Sequence, residues 1–159
     1  SNEIKSVYGL TKAFVENASQ LHKNCLAVKF YNVFGEHQRL EGGAVTPKLI
    51  WHMLTETPLE INGDGTQARD FTYVGDLVKN LQLLMESDQR GVTHLGYGDT
   101  IVLNNYIKLI YGKMPKVKNN PIQNFDILCS ESPIRCKRFY GREKGMERTI
   151  KWFKKEYKL

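Results

Sequence analysis

Apolar and polar positions alternate along this chain with two different periods, and these predict helices separated by short strands. The first helix spans about residues 7–22, and the run CLAVKFYNV at 25–33 follows it as a largely buried strand. A glycine-containing loop over 35–43 then leads to a second helix. The apolar stripe of the first helix consists of Leu10, Ala13, Phe14, Ala18 and Leu21.

The middle of the chain continues this alternation. Short strands are predicted at 59–61, 71–74, 92–95 and 101–103, and the helix after the last of them stops at Gly112. Thr46, Asp76 and Asn104 are predicted to cap three helices, because short polar side chains accept hydrogen bonds from first-turn N–H groups. Prolines punctuate residues 113–136, where 125–129 is one further strand. The pattern favours an α/β or α+β layered domain.

The C-terminal segment carries the charge excess of the molecule. The 159 residues have a formal net charge of +6, with 41% hydrophobic and 25% charged residues. Residues 137–159 contain nine basic and three acidic side chains, which leaves fourteen of each in the first 136. Because Met146, Ile150, Phe153 and Tyr157 recur at helical spacing, we interpret the segment as an amphipathic helix with a solvated basic face, and we expect no nucleic-acid partner.

Composition also excludes several classes of protein. The three cysteines, Cys25, Cys129 and Cys136, are odd in number and widely spaced, so neither a disulfide scaffold nor a zinc site is expected, and no metal is predicted. No apolar run approaches the ~20 residues that a membrane helix needs, and no signal peptide is evident. We therefore expect a cytoplasmic protein without a membrane partner.

One pair of residues suggests chemistry. Tyr8 and Lys12 lie four residues apart, so on a helix they share a face, nearly opposite the apolar stripe. A phenol is a weak base near neutrality, but a neighbouring ammonium favours its ionised form, which can take a proton from a sugar hydroxyl. The spacing YxxxK alone is weak, because many helices place a half-exposed tyrosine beside a solvated lysine by chance.

Three motifs extend this signal in a fixed order. They are YGLTK at residues 8–12, KFYNVFG at 29–35 and PLEINGDGTQARDFTYVGDLV at 58–78. Over residues 8–85 the chain resembles the C-terminal half of the NAD-dependent nucleotide-sugar epimerases and dehydratases, which are extended short-chain dehydrogenases/reductases. The resemblance implies an α/β fold, the C-terminal part of a Rossmann-like domain with a small α+β substrate-binding subdomain. Residues 1–40 would end the Rossmann-like domain, and 41–159 would mainly form the subdomain, with some strands returning to the main sheet.

The resemblance also implies roles for individual residues. Tyr8 corresponds to the catalytic acid/base, and Lys12 to the residue that activates this tyrosine and holds the cofactor ribose. Asn32 corresponds to an asparagine that contacts the nucleotide sugar, usually near its diphosphate. Arg69 corresponds to the arginine that binds the nucleotide phosphates. The cofactor implied is NAD, the ligand is a nucleotide-diphosphate sugar, and the helix beginning at Tyr8 is expected to form a homodimer.

Other residues near these motifs receive structural interpretations. Asp70, Tyr73 and Asp76 are interpreted as turn, packing and capping residues. Residues 63–68 fit the dinucleotide fingerprint G-x-G-x-x-A, but they lead into a strand-like run, so we interpret them as a turn. The four histidines are scattered singly and receive no role.

The chain departs from the family pattern at both ends. Only seven residues precede Tyr8, so the glycine-rich cofactor half is absent and NAD would be bound mostly by residues outside this chain. A second nucleotide-binding arginine is missing from 119–129, for which Arg135 or Arg138 are possible substitutes. We expect the parent protein to be an enzyme and the isolated chain, a fragment or a natural half-length product, to be inactive. The alternative is a non-catalytic nucleotide-sugar-binding or dimerisation half-domain that needs a partner. Epimerase, dehydratase, decarboxylase and reductase chemistry are not distinguished.

Overall fold

The computed structural model describes residues 6–121, 129–130 and 135–159, and within these ranges short strands alternate with helices. The helices are α1 (Val7–Gln20), α2 (Val45–Thr55), α3 (Val74–Met85), α4 (Leu103–Tyr111) and α5 (Gly141–Tyr157). The strands are β1 (Leu26–Phe30), β2 (Asn32–Phe34), β3 (Leu59–Asn62), β4 (Ala68–Arg69), β5 (Phe71–Tyr73), β6 (Gly91–Leu95), β7 (Ile101–Val102), β8 (Val117–Asn120) and β9 (Cys129–Ser130).

The strands pair mostly in parallel. β1 pairs with β6, β2 with β5, and β3 with β8, all in parallel, while β4 lies between antiparallel β7 and parallel β9. Parallel partners need a crossover connection, and the connection from β2 to its partner β5 includes α2. This arrangement confirms the predicted α/β alternation, whereas the division of the chain at residue 40 stays a prediction.

The core lies where α4 and α5 pack near β5. The rings of Phe71 and Tyr106 stack with their centroids 3.8 Å apart, and both residues are buried. On α5, Met146 and Phe153 are fully buried, and Ile150 packs against the same cluster. The predicted C-terminal amphipathic helix is therefore confirmed, with its apolar face in the core.

The larger side chains of the apolar stripe of α1 do not form its packing face. Phe14 is 71% exposed and Leu21 is 84% exposed, and no residue of α1 is buried. The helix contacts β1 and β6 instead, and Glu16 forms an ion pair with Lys29 of β1 at 2.9 Å. The partly buried positions of α1 are Gly9, Ala13, Glu16, Ala18 and Ser19. Within the described residues, the larger apolar side chains of the stripe thus remain uncovered.

The three predicted helix caps are also wrong, because each side chain has a partner elsewhere in the fold. The hydroxyl groups of Thr46 and Tyr106 are 2.9 Å apart, and α2 begins one residue before Thr46. Asn104 lies inside α4 and donates to the carbonyl of Asp64 at 3.0 Å. Asp76 lies inside α3 and accepts hydrogen bonds from backbone N–H groups just before α5. Of the predicted strand at 125–129, residues 125–128 lie outside the described residues.

Candidate functional site

The sequence of α1 places Tyr8 and Lys12 together on an open surface. Ser6 caps the helix by accepting a hydrogen bond from the Gly9 N–H at 3.0 Å, so Tyr8 lies in the first turn. The Lys12 Nζ is 5.1 Å from the centroid of the Tyr8 ring, and Tyr8 is 72% exposed. The predicted pair therefore shares one face of the helix and is open to solution.

A cavity of about 430 Å³ brings the two predicted substrate residues together. Asn32 and Arg69 both line it, and its volume lies within the range of about 300–1,000 Å³ typical of ligand pockets. Its walls combine apolar side chains with polar groups. The other lining residues are Gly43, Ala44, Val45, Lys48, Leu49, His52, Leu59, Glu60, Ile61, Asn62, Gln67, Phe71 and Leu103.

Short strands fix the backbone on both sides of Arg69. Arg69 belongs to β4, which pairs with β7 and β9, and its Nη1 donates to the carbonyl of Ala68 at 2.9 Å. The next residue, Asp70, is fully buried and accepts hydrogen bonds from the N–H groups of Tyr97 at 3.1 Å and Gly98 at 2.8 Å. The N–H of Asn32 donates to the carbonyl of Asp70 at 3.1 Å. These contacts explain why Asn32 and Arg69, distant in sequence, line one cavity.

The glycine-rich segment between β3 and β4 is a turn, as predicted. Gly63 and Gly65 have φ angles of 73° and 80°, which favour glycine, and Asp64 accepts hydrogen bonds from the N–H and the hydroxyl of Thr66. Gln67 closes the turn by donating to the carbonyl of Asn62 at 2.9 Å. The segment therefore delivers Arg69 to the cavity and does not form a phosphate-binding loop before a helix.

Tyr8 and Lys12 do not line the cavity that contains Asn32 and Arg69. The four predicted residues thus form two groups, one on α1 and one around the carboxyl-terminal side of β1. Tyr31 separates Asn32 from the end of β1. The Tyr31 hydroxyl is 3.0 Å from the Nδ1 of His94 on β6. The strand after α1 therefore connects the two groups along the chain.

The arginines proposed as substitutes for a missing second arginine lie elsewhere. Arg138 and Arg142 both pair with Asp99, at 2.6 and 2.8 Å. Burial raises the pKa of Asp99, but the hydrogen bonds from the two arginines outweigh burial and hold this pKa below its usual range. Arg135 is exposed and lines a separate cavity beside Cys136. Neither Arg135 nor Arg138 lines the cavity around Arg69.

Sequence reasoning missed two cavity residues on α2 and one buried hub. Lys48 and His52 line the cavity one turn apart, and their i, i+4 spacing was the available signal.

Asp76 is fully buried and accepts hydrogen bonds from the Tyr97 hydroxyl at 2.6 Å and from the N–H groups of Tyr140 and Gly141. Burial and this hydrogen bond raise the pKa of Tyr97, so its phenol remains a donor. Asp76 therefore has a structural role, but its hydrogen-bond partners are not those of a helix cap.

Across residues 6–121, 129–130 and 135–159, no three His, Cys, Asp or Glu side chains come together as a metal-binding group. None of the helices in those ranges combines the length and the apolar character that a membrane crossing requires.

Known proteins resemble this chain in sequence and in structure. It is 26% identical over 170 residues to UDP-glucuronate 4-epimerase of Thermodesulfobacterium geofontis, covering 97% of this chain and 52% of that protein. It is 35% identical over 101 residues to an uncharacterized UDP-glucose epimerase of Bacillus subtilis, covering 60% of this chain and 29% of that protein. The chain spans about half the length, or less, of these curated relatives.

Solved structures give the same picture. UDP-N-acetylglucosamine 4-epimerase from Methanobrevibacter ruminantium, in complex with UDP-N-acetylmuramic acid, superposes with a TM-score of 0.86 at 27% identity, over 96% of this chain and 55% of that one. UDP-glucose 4-epimerase from Thermotoga maritima, with UDP-glucose, gives a TM-score of 0.82 at 25% identity, over 94% and 54%. A sequence model of the NAD dependent epimerase/dehydratase family matches residues 3–98. The chain therefore belongs to the NAD-dependent epimerase/dehydratase family, with the extended short-chain dehydrogenase/reductase fold.

Proposed function

We propose that the protein containing this chain interconverts nucleotide sugars by transient oxidation of the hexose at C4, with NAD as cofactor. The observation that carries the proposal is the single cavity that Asn32 and Arg69 line together. The solved relatives described above bind UDP-N-acetylmuramic acid and UDP-glucose, which supports a nucleotide-diphosphate sugar as the ligand.

Arg69 and Asn32 anchor the substrate in this proposal. A guanidinium group presents a planar set of donors that matches the oxygens of a phosphate, and it stays charged at every physiological pH. The Asn32 amide supplies a neutral donor from the start of β2, beside the same cavity. Both residues belong to strands whose backbones are tied to Asp70, so the anchor is positioned before the ligand arrives.

Tyr8 moves the proton and Lys12 supports it. The ionised Tyr8 side chain takes the proton of the C4 hydroxyl during oxidation, and the resulting phenol returns it to the ketone oxygen during reduction. The Lys12 ammonium, which lies over the Tyr8 ring, stabilises the ionised phenol electrostatically. Both side chains are exposed on one helix face, which fits the role of holding the ribose of NAD. NAD, when bound, supplies the acceptor for the hydride that leaves C4.

We further propose that the 159-residue chain alone is inactive. Among its described residues, Tyr8 and Lys12 are the ones that we assign to NAD, and the G-x-G-x-x-A segment forms a turn.

A second candidate function, association with a partner, is favoured by the exposed apolar side chains of α1. Leu10 and Phe14 are 57% and 71% exposed, and adjoining apolar groups on a surface typically mark an interface.

The test is the substitution Tyr8→Phe in the protein that contains this chain. We expect kcat to fall by a factor of about 10²–10⁴, because the variant loses the group that transfers the proton. The measurement is conversion of UDP-glucose, UDP-N-acetylglucosamine and UDP-glucuronate, resolved by chromatography. Tyr157→Phe on α5 is the control, because it removes the same hydroxyl far along the chain, and it should leave kcat unchanged. The same assay on the 159-residue chain should show no conversion.

The outcomes separate the two functions. Full activity of Tyr8→Phe would contradict the catalytic assignment, and turnover by the chain alone would contradict its inactivity. A native protein that carries no NAD and converts none of these sugars would instead support the non-catalytic half-domain.

A further inference from the structure

The charge of the ligand exceeds the charge of the anchor described so far. The diphosphate of a nucleotide sugar has one ionised oxygen on each phosphate, whereas Arg69 supplies a single positive charge. Burying a second phosphate charge in a cavity without a cation would cost free energy, because a charge needs a partner when water is removed. A second cation on the wall of the cavity that contains Arg69 would compensate this second charge.

We propose that Lys48 is the second cation that binds the nucleotide diphosphate; this rests on the function proposed above. Lys48 lines the cavity together with Arg69 and Asn32, and it is exposed to solution. It forms neither an ion pair nor a hydrogen bond with the residues that the structure describes. An ammonium group on a flexible four-carbon stem can reach a phosphate from the rim of a cavity.

Other charged groups near the cavity do not compete for Lys48 or replace it. Glu60 is the carboxylate among the lining residues, and it is paired with Lys118 at 2.8 Å and accepts from Asn120 at 3.2 Å. Arg138 and Arg142 are paired with Asp99, and neither lines this cavity. Lys48 is thus the lysine that the cavity offers to an anion.

The position of Lys48 within α2 gives a second argument. Lys48 is the fourth residue of the helix, near the end where the helix dipole is positive, and α2 has no acidic residue in its first turn. A cation near that end gains nothing from the dipole and is slightly unfavourable there. The location therefore does not stabilise the helix, but it adds positive potential to the same wall of the cavity as the helix N-terminus.

The test compares Lys48→Gln with a matched lysine. Lys144 is also the fourth residue of its helix, α5, is exposed and does not line the cavity, so Lys144→Gln makes the same change in charge elsewhere. UDP and dTDP are titrated in turn into the protein that contains this chain, by calorimetry at low and high salt. Uridine and thymidine serve as ligands without phosphate.

We expect Lys48→Gln to raise the dissociation constant of the bound diphosphate about tenfold at low salt, as removal of one charged hydrogen-bond donor does. The difference should shrink at high salt because ions screen an exposed cation. Lys48→Arg should stay within about twofold of the unsubstituted protein, since it keeps the charge. Lys144→Gln should bind as tightly as the unsubstituted protein, and affinities for the nucleosides should not change.

Two results overturn the inference in different ways. If Arg69→Gln weakens diphosphate binding and Lys48→Gln does not, the role of Lys48 is wrong while the proposed substrate site stands. If the unsubstituted protein binds neither UDP nor dTDP, the proposed substrate site is wrong and the role of Lys48 falls with it.

Discussion

The two terminal helices differ in a way that their composition does not suggest. α1 carries larger apolar residues along one stripe, yet none of its residues is buried. α5 is densely charged, yet it buries Arg142, Gly145, Met146, Thr149 and Phe153. An apolar stripe therefore identifies the face of a helix that can be covered, but not whether anything in the chain covers it.

The difference comes from what each helix meets. α5 packs so closely on β5 that a Cβ at Gly145 would overlap the Tyr73 ring. Its start is held by Asp76, and its middle by Arg148, whose Nε donates to Glu36 at 3.1 Å. α1 has contacts to β1 and β6 but, among the residues that the structure describes, no equivalent set of buried polar contacts. We infer that α5 stabilises the fold, while α1 presents a surface.

The largest expected effect comes from one substitution made in both helices. Phe153→Ala removes a ring that is 0% exposed and should lower the free energy of unfolding by about 3–5 kcal/mol. Phe14→Ala removes the same atoms from a residue that is 71% exposed and should change it by about 0.5 kcal/mol or less. Urea unfolding followed by circular dichroism measures both. A loss of comparable size in Phe14→Ala would show that α1 is covered in solution, and the contrast between α1 and α5 would then be wrong.

The next effect concerns the contact that holds the start of α5. Asp76→Ala leaves the Tyr97 hydroxyl and several backbone N–H groups without their acceptor, so we expect a loss of about 3 kcal/mol in unfolding free energy. Asp88→Ala is the control, because it removes an exposed carboxylate just after α3 and should have little effect. Equal stability of the two variants in urea would contradict the role of Asp76 as a hub.

Local patterns predicted the elements well but predicted their partners poorly. The helical spacing of Met146 and Phe153 was enough to place α5 and its buried face. The cap assigned to Thr46 failed because a residue sixty positions away, Tyr106, offers its hydroxyl a buried partner. Capping preferences describe an isolated helix, and tertiary contacts override them when a polar group is buried.

The candidate site divides in the same way. The motifs predict Asn32 and Arg69 as substrate-binding residues. Their backbones lie close together because the carbonyl of Asp70 accepts a hydrogen bond from the Asn32 N–H. The i, i+4 spacing of Lys48 and His52 places both on one face of α2, but the sequence does not say that this face lines a cavity. The cavity wall also contains residues of β3 and β4, which are distant from Asn32 in the sequence. Motifs of catalysis are local, whereas the walls of a binding site are assembled by topology.

The smallest predicted effect is the pH dependence of stability that Glu36 and Asp99, two carboxylates paired with arginines of α5, contribute. Burial raises the pKa values of Glu36 and Asp99, but hydrogen bonds outweigh burial and lower both values. Glu36 accepts hydrogen bonds that include those from Tyr73 and Arg148, and Asp99 accepts them from Arg138 and Arg142. A carboxylate with a lowered folded pKa contributes stability that is complete above its unfolded pKa of about 4 and is lost as the pH falls through the folded value. Because both groups are partly exposed, solvent screening limits each contribution to about 1 kcal/mol or less.

The two tryptophans make this loss measurable at α5 itself. Trp152 belongs to α5, and the Trp51 ring lies 5.4 Å from that of Tyr157 at the end of the same helix. Urea unfolding followed by tryptophan fluorescence should therefore give a lower free energy below about pH 4 than at pH 6. In Asp99→Asn the decline should be smaller, because one carboxylate with a lowered pKa is gone, whereas Asp88→Asn should keep the full decline. An undiminished decline in Asp99→Asn would assign the acid sensitivity to other carboxylates, and the pairing of Asp99 with Arg142 would then contribute little to the anchoring of α5 beside its buried apolar face and the contacts of Asp76.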